Sequence, residues 1–156
     1  MLRNGLKVLH ILGLVVFLGS IITFIIASEL SNESDLAGLV FARELISTGT
    51  LIITIPSMWL VIVTGTGMAI ISARLKQTWV RIKFVVSIII AINAHAFVMS
   101  AVKEATLLAK TSLQKGIIHV DYLQAYTEES MFGAINVLLI LSLIIIAVFK
   151  PGKIEI

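Results

Sequence analysis

The stretch VLLILSLIIIAVF, residues 137–149, decides the fold class because it is apolar at almost every position. The run SIIIAINAHAFV, residues 87–98, has the same character. Neither run alternates apolar with polar residues, as a strand of a membrane barrel does. Long uninterrupted runs of this kind are typical of helices that cross a bilayer. We therefore predict an all-α membrane protein.

The composition of the whole 156-residue chain agrees with that prediction. Hydrophobic residues make up 58% and charged residues 13% of the chain, against about 45–50% and about 25% in soluble domains. The mean hydropathy is +1.07. With so few charged residues, a water-soluble fold could not shield this many apolar side chains from water. We therefore expect the lipid bilayer as the partner and expect no nucleic acid. The absence of cysteine excludes disulfides and thiolate metal sites.

Four stretches are long enough to cross about 30 Å of hydrocarbon, which takes about 20 helical residues. We predict a single integral membrane domain over residues 1–156, folded as a four-transmembrane-helix bundle. The long linker before the last span has room for a short interfacial helix. The predicted spans are residues 6–28, 46–73, 80–105 and 129–149.

The basic residues predict the orientation of the bundle. With the N-terminus in the cytoplasm, eight basic residues lie inside and four outside, and an excess of Lys and Arg marks the cytoplasmic side. We therefore predict cytoplasmic N- and C-termini in a multi-pass protein of the cell inner membrane. The inside group is Arg3, Lys7, Arg74, Lys76, Arg81, Lys83, Lys150 and Lys153, and the outside group is Arg43, Lys103, Lys110 and Lys115.

Ionisable residues within the spans are the candidates for function, because a lysine at such depth costs about 2.5–3.5 kcal/mol on insertion scales. His10 is about four residues into the first span, and Lys83 is about four residues beyond Trp79 at the start of the third. Met68 reaches a similar depth from the second span. We expect these three side chains near one plane in the inner leaflet. The alternative for Lys83 is a snorkelling side chain that only needs the headgroups.

His95 belongs to the outer half of the third span. It follows Lys83 by twelve residues, which is about 18 Å of helix rise, so the two cannot serve one small site. His95 is either a ligand, a proton relay, or a buried histidine bonded to a neighbouring carbonyl or hydroxyl. We expect Asn93 and Asn136 to make hydrogen bonds between helices.

These residues suit a haem site. Neutral imidazole ligates haem iron, and a helix interface offers a slot for the macrocycle. We predict b-type haem (heme b), with His10 and His95 as candidate iron ligands and Met68 as a further cofactor-binding candidate. Lys83, together with Arg81 and Lys7, would neutralise a propionate.

Two motifs resemble a superfamily of small bacterial four-helix membrane proteins. The segment GLKVLHILGLVVFLGS, residues 5–20, resembles its Lys-x-x-His start, followed by a glycine about nine residues later. The superfamily includes HemJ-type protoporphyrinogen oxidases, CopD-like copper-resistance membrane domains and a related family of unassigned function. The segment WVRIKFVVSIIIAINAH, residues 79–95, resembles the HemJ-type order of Trp, Lys and His. Residues 43–44 and the segment ITIPSMWLVIVTGTGMAI, residues 53–70, are closer to the family of unassigned function.

The resemblance implies a redox function. In HemJ-type enzymes the first-helix His and the third-helix Lys carry the activity, which places a catalytic role on Lys83 and haem binding on His10. We expect a porphyrin or a quinone-like molecule as electron partner, and association into a homo-oligomer. The alternatives are a non-redox transporter or scaffold and, by resemblance to CopD-like domains, a copper-handling protein. Its soft candidate ligands would be Met58, Met68, Met99 and Met131.

Overall fold

Four helices make up almost all of the chain in the computed structural model, which describes residues 1–31 and 34–151. They are α1 (Leu2–Leu30), α2 (Leu36–Ile71), α3 (Thr78–Lys115) and α4 (Tyr122–Phe149). Each is long and apolar enough to cross a membrane. Successive helices run antiparallel, and the predicted all-α, multi-pass architecture is confirmed. Lys153 of the predicted inside group lies outside the described residues.

Helices α2 and α3 are longer than the predicted spans. They contain 36 and 38 residues, or about 54 and 57 Å of helix rise, whereas the hydrocarbon core is about 30 Å thick. Helix α2 begins ten residues before the predicted span, α3 ends ten residues after it, and α4 begins seven residues earlier. The segment predicted as the linker before the last span thus contains the end of α3 and the start of α4. All of these extensions lie at the end of the bundle that the basic residues predict to be outside.

The extensions have a hydrophobic core of their own. Alanines on α3 and α4 are small enough for the helices to pack closely around Leu39 of α2 and Tyr122 of α4. Ser112 Oγ accepts a hydrogen bond from the His119 amide at 2.8 Å and so closes the α3–α4 turn. The outer half of the protein is therefore a packed unit of three helices. Its buried residues are Leu39, Ala105, Ala109, Tyr122 and Ala125.

A second core lies within the membrane part and draws on all four helices. Its buried residues are Phe17, Met58, Ile90, Ala91 and Ile140. Close contact of α1 with α2 depends on small residues, because a side chain at Gly49 would collide with the ring of Phe24. Ser20 and Thr54 join the same two helices through their hydroxyls at 2.9 Å.

Asn93 and Asn136 join α3 to α4 at the level of this core. Asn93 Nδ2 donates to Asn136 Oδ1 at 2.9 Å and to the Phe132 carbonyl at 3.0 Å. The prediction that Asn93 and Asn136 make hydrogen bonds between helices is confirmed, and one of these bonds joins the two residues to each other.

Two neighbouring helices contain π-helical segments. In α2 the segment is Thr50–Thr54, just before Pro56, whose ring removes a backbone donor from the helix. In α3 it is Ala94–Val98, which contains His95. Single π turns inside α-helices are frequent at functional sites, which draws attention to His95.

The orientation predicted from the basic residues has a direct test. A reporter that is active only in the cytoplasm should give a signal when it is fused after Ile156 and none when it is fused after Lys115. Basic residues are held on the cytoplasmic side during insertion, which is the reason for this expectation. Reversed signals would contradict the assignment of His10 and Lys83 to the inner leaflet, while the four-span fold would stand.

Candidate functional site

His10 on α1 is held against α2 by its Nδ1 atom. This atom lies 3.0 Å from the Val61 carbonyl oxygen and 3.0 Å from Thr64 Oγ1. Because a carbonyl only accepts, Nδ1 carries the proton and Nε2 keeps a free lone pair. Metal-ligating histidines have this same arrangement, in which a backbone carbonyl orients the ring through the nitrogen remote from the metal. His10 is therefore oriented as a ligand.

The imidazole packs against Thr64 and Gly65 on α2, which together are called the His10 seat. Thr64 Oγ1 donates to the Leu60 carbonyl at 2.5 Å, so an oxygen lone pair is available to His10 Nδ1. A Cβ atom at Gly65 would lie 3.1 Å from His10 Cε1, so glycine leaves room for the ring. Thr64 and Gly65 thus position the imidazole in addition to packing α2 against α1. Sequence reasoning missed this role, although the Thr-Gly pair is visible in the sequence.

Lys83 approaches the same region from α3. Its ammonium is close enough to His10 for the charge to act on the imidazole. Its Nζ atom also lies 5.8 Å from the centre of the Trp79 ring, a cation–π distance. The imidazole and the ammonium therefore lie in the same half of the bundle.

Met68 lies one turn further along α2 than Thr64, toward the end of the helix at Ile71. In the same part of the bundle Leu6 packs on Gly67, and His10 on Gly65. Met68 is thus level with the first turns of α1 rather than with His10. The structure does not place it beside the imidazole.

The helices are arranged so that the inner half is more open than the outer half. In the inner half α1 packs along α2 and α3 along α4, but few backbone contacts join the two pairs. His10, Met68 and Lys83 are only half-buried there. The two helix pairs therefore pack loosely against each other in the inner half, below the core that includes Phe17 and Ile90.

His95 lies on a different surface. Its Nδ1 is 2.9 Å from the Ala91 carbonyl oxygen of its own helix, and its ring meets Trp59 edge-on with centroids 6.0 Å apart. The predicted hydrogen bond to a carbonyl is present, but the side chain is exposed rather than buried. His10 and His95 do not converge on one site.

In the described part of the chain, the other potential metal ligands do not form a cluster. Within residues 1–31 and 34–151, no three His, Cys, Asp or Glu side chains lie close enough together to hold a metal ion. The methionines are also scattered: Met58 belongs to the membrane core, whereas the side chain of Met131 is 51% exposed.

Arg43 is the centre of a second polar site, which the sequence reasoning missed. It was predicted as an outside basic residue, yet it is only 1% exposed. Its Nη1 donates to Glu129 Oε2 at 2.6 Å, and its Nη2 donates to Ser28 Oγ. The Tyr126 ring lies 5.5 Å from the guanidinium carbon, and Thr106 Oγ1 donates to the Arg43 carbonyl at 3.3 Å. This Arg43 cluster joins all four helices.

The sequence contains a signal for that cluster. Leu39, Ala42 and Ile46 precede and follow Arg43 at helical spacing and are all buried. A cation on such an apolar stripe requires a buried anion, since an unpaired buried charge is strongly unfavourable. Glu129, at the start of the last apolar run, is that anion.

Two cavities lie in the outer half. One of about 270 Å³ separates the end of α1 from the start of α2, beside Leu30 and Phe41. The other, of about 220 Å³, lies between α3 and α4 and is lined by Glu104, Glu128 and Phe132 among others. Neither of these two cavities includes His10 or Lys83.

Comparison with known proteins identifies a family but no characterised relative. No curated protein and no solved structure matches the chain. The family described as predicted integral membrane protein (DUF2269) matches residues 4–151, which include the His10 seat, Lys83 and the Arg43 cluster. The chain therefore belongs to the DUF2269 family of predicted integral membrane proteins.

Proposed function

We propose that this protein binds b-type haem beside His10, between the two helix pairs of the inner half, and has a redox role in the membrane. The orientation of His10 is the observation that carries the proposal. Its Nδ1–H is held by the Val61 carbonyl, and its Nε2 lone pair is free in a half-buried position. That geometry is the one that axial imidazole ligands require.

The residues around His10 fit a haem group. The imidazole supplies an axial nitrogen, Gly65 provides space beside it, and the surrounding side chains are mostly apolar. Lys83, within electrostatic range of His10, is the cation that would hold a propionate. Bound haem supplies one-electron chemistry, which the protein's ligand and surroundings tune.

His10 alone is assigned as the iron ligand. His95 lies against Trp59 on another surface, and Met68 lies one turn beyond the seat of the imidazole. Neither His95 nor Met68 is therefore proposed as a ligand of this haem. His10 would then be the one side chain that holds the haem iron, and oxidation is the chemistry that the haem would supply.

We also propose that the family is related to the HemJ/CopD superfamily, with an oxidoreductase activity of the HemJ type. The Lys-x-x-His start of α1 and the order of Trp79 and Lys83 on α3 support this relationship. A copper-handling function is less well supported, because Met58 lies in the core and Met131 is exposed on a different helix.

The absorption spectrum of the purified protein tests the proposal. From cells with ample haem, we expect a Soret band and a pyridine haemochrome of the b type, with about one haem per chain. The alternative functions, a non-redox transporter or a scaffold, predict a colourless protein. A colourless preparation that also fails to take up added haemin would overturn the proposal.

Substitution of Lys83 separates a propionate partner from a snorkelling side chain. We expect Lys83→Met to lower haem affinity about 10- to 100-fold, because a hydrogen bond to a charged group contributes about 1.5–3 kcal/mol. Lys83→Arg should have a smaller effect, since it keeps the charge but changes its geometry. Haem content and haemin titration measure the effect. Lys76→Met, in the exposed turn between α2 and α3, is the control. Full haem affinity in Lys83→Met would make Lys83 an interface anchor.

A further inference from the structure

Trp59 and His95 form an aromatic pair on the outward surface of the bundle, where α2 meets α3. Their ring planes are inclined by 62°. Trp59 is 42% exposed, and His95 is exposed as well. The exposed neighbours Ile92 and Val63 are apolar, so this surface faces lipid.

The depth of the pair is unusual for an indole. Trp59 lies at the middle of the apolar run 46–73, whereas membrane tryptophans concentrate at the two interfaces. His95, in the π-helical segment of α3, lies beside it. Headgroups and interfacial water are therefore about half a hydrocarbon thickness, or about 15 Å, away.

Each ring has a polar atom without a partner. His95 uses Nδ1–H for the Ala91 carbonyl, so its Nε2 has a free lone pair. Trp59 Nε1–H has no acceptor among the residues that the structure describes. In hydrocarbon each unsatisfied polar group costs several kcal/mol, because water cannot replace the missing partner. Two neighbouring rings, with centroids 6.0 Å apart, thus carry one free donor and one free acceptor in a place where only a lipid-soluble molecule reaches them.

We propose that Trp59 and His95 bind a membrane quinol. A quinol is a flat ring that dissolves in hydrocarbon, and its hydroxyl groups both donate and accept hydrogen bonds. One hydroxyl donates to His95 Nε2, an oxygen accepts from Trp59 Nε1, and the quinol ring packs on the aromatic pair.

A quinol supplies the hydrogen-bond partners that the surrounding surface does not. The exposed neighbours Ile92 and Val63 offer neither a donor nor an acceptor, whereas a quinol hydroxyl offers both. The site is separate from His10, and quinol binding here does not require haem.

Fluorine NMR of Trp59 tests the proposal. The chain contains two tryptophans, so Trp79→Phe labelled with 5-fluorotryptophan gives one resonance, that of Trp59. In lipid nanodiscs, ubiquinol-1 kept reduced without oxygen should shift this resonance saturably. His95→Phe keeps a ring but removes the acceptor, and it should weaken ubiquinol-1 binding about tenfold. His119→Phe, on the outer α3–α4 turn, is the matched control and should bind as the parent does.

Three results would overturn the proposal. A shift that grows linearly with ubiquinol-1 and is equal in His95→Phe would indicate partition into lipid alone. Ubiquinone-1 that binds as tightly as ubiquinol-1 would contradict the role of Nε2, because a quinone has no hydroxyl to donate. The chain has no cysteine, so Ala96→Cys provides a single thiol beside the pair. Efficient disulfide dimers of this variant in native membranes would show that a second copy covers the surface.

Discussion

Replacement of Glu129 by leucine is expected to lower the free energy of unfolding by about 3–5 kcal/mol, the cost of removing one partner from a buried ion pair. The substitution leaves the Arg43 guanidinium, 1% exposed, without its carboxylate. Because the Arg43 cluster joins all four helices, the loss should affect the whole bundle rather than one end. Unfolding in mixed micelles with increasing dodecyl sulfate, followed by circular dichroism, measures the change.

The chain offers a matched control for this substitution. Glu44 and Lys110 form an ion pair of 2.8 Å whose side chains are 52% and 47% exposed. Glu44→Leu should therefore cost about 0.2–1 kcal/mol, as exposed pairs do. The double variant Arg43→Leu/Glu129→Leu should recover most of the lost stability, since no unpaired charge remains buried. If Glu129→Leu were no more harmful than Glu44→Leu, the cluster would not hold the helices together.

Replacement of His10 by glycine is expected to remove nearly all bound haem, because the axial nitrogen is lost. Free imidazole should restore binding, since the glycine leaves a space of the same shape beside Gly65 and Thr64. Haem per chain, from the pyridine haemochrome of the purified variant with and without imidazole, measures both effects.

Controls separate ligand loss from damage to α1. Leu9→Gly places a glycine at the adjacent, exposed position and has the same helix cost of about 0.8–1.0 kcal/mol. It should retain haem, as should His95→Phe. If His10→Gly kept its haem while His95→Phe lost it, the iron ligand would be His95 and the inner-half site would be wrong.

The fold could be predicted because apolar runs in a membrane protein have a single structural solution. In hydrocarbon a chain must satisfy its backbone hydrogen bonds internally, so each long run becomes a helix. Hydropathy could not reveal the extensions of α2 and α3. The segment from Lys103 to Lys115 is polar on one side, and it is stabilised by long-range packing of Ala105 and Ala109 against Leu39 and Tyr122.

The half of the bundle to which His10 and Lys83 belong could be predicted, but the directions of their side chains and the depth of Met68 could not. Helix rise fixes the depth of His10 and Lys83 once the ends of the spans are known. Rotation about a helix axis depends on packing, so the seat at Thr64 was not predictable from α1 alone. His95 lies within the π-helical segment of α3, and its side chain is exposed. Counting charges by side of the membrane placed Arg43 outside but could not show that it is buried against Glu129.

Resonance Raman spectroscopy of the reduced, haem-loaded protein tests the assignment of His10 most directly. An iron–imidazole stretching band that shifts when the histidines carry ¹⁵N is predicted for the unsubstituted protein and for His95→Phe. The band should be absent from His10→Gly and should return, without the isotope shift, when unlabelled imidazole is added. A haem-loaded protein without such a band, or a band that persists unchanged in His10→Gly, would contradict iron ligation by His10.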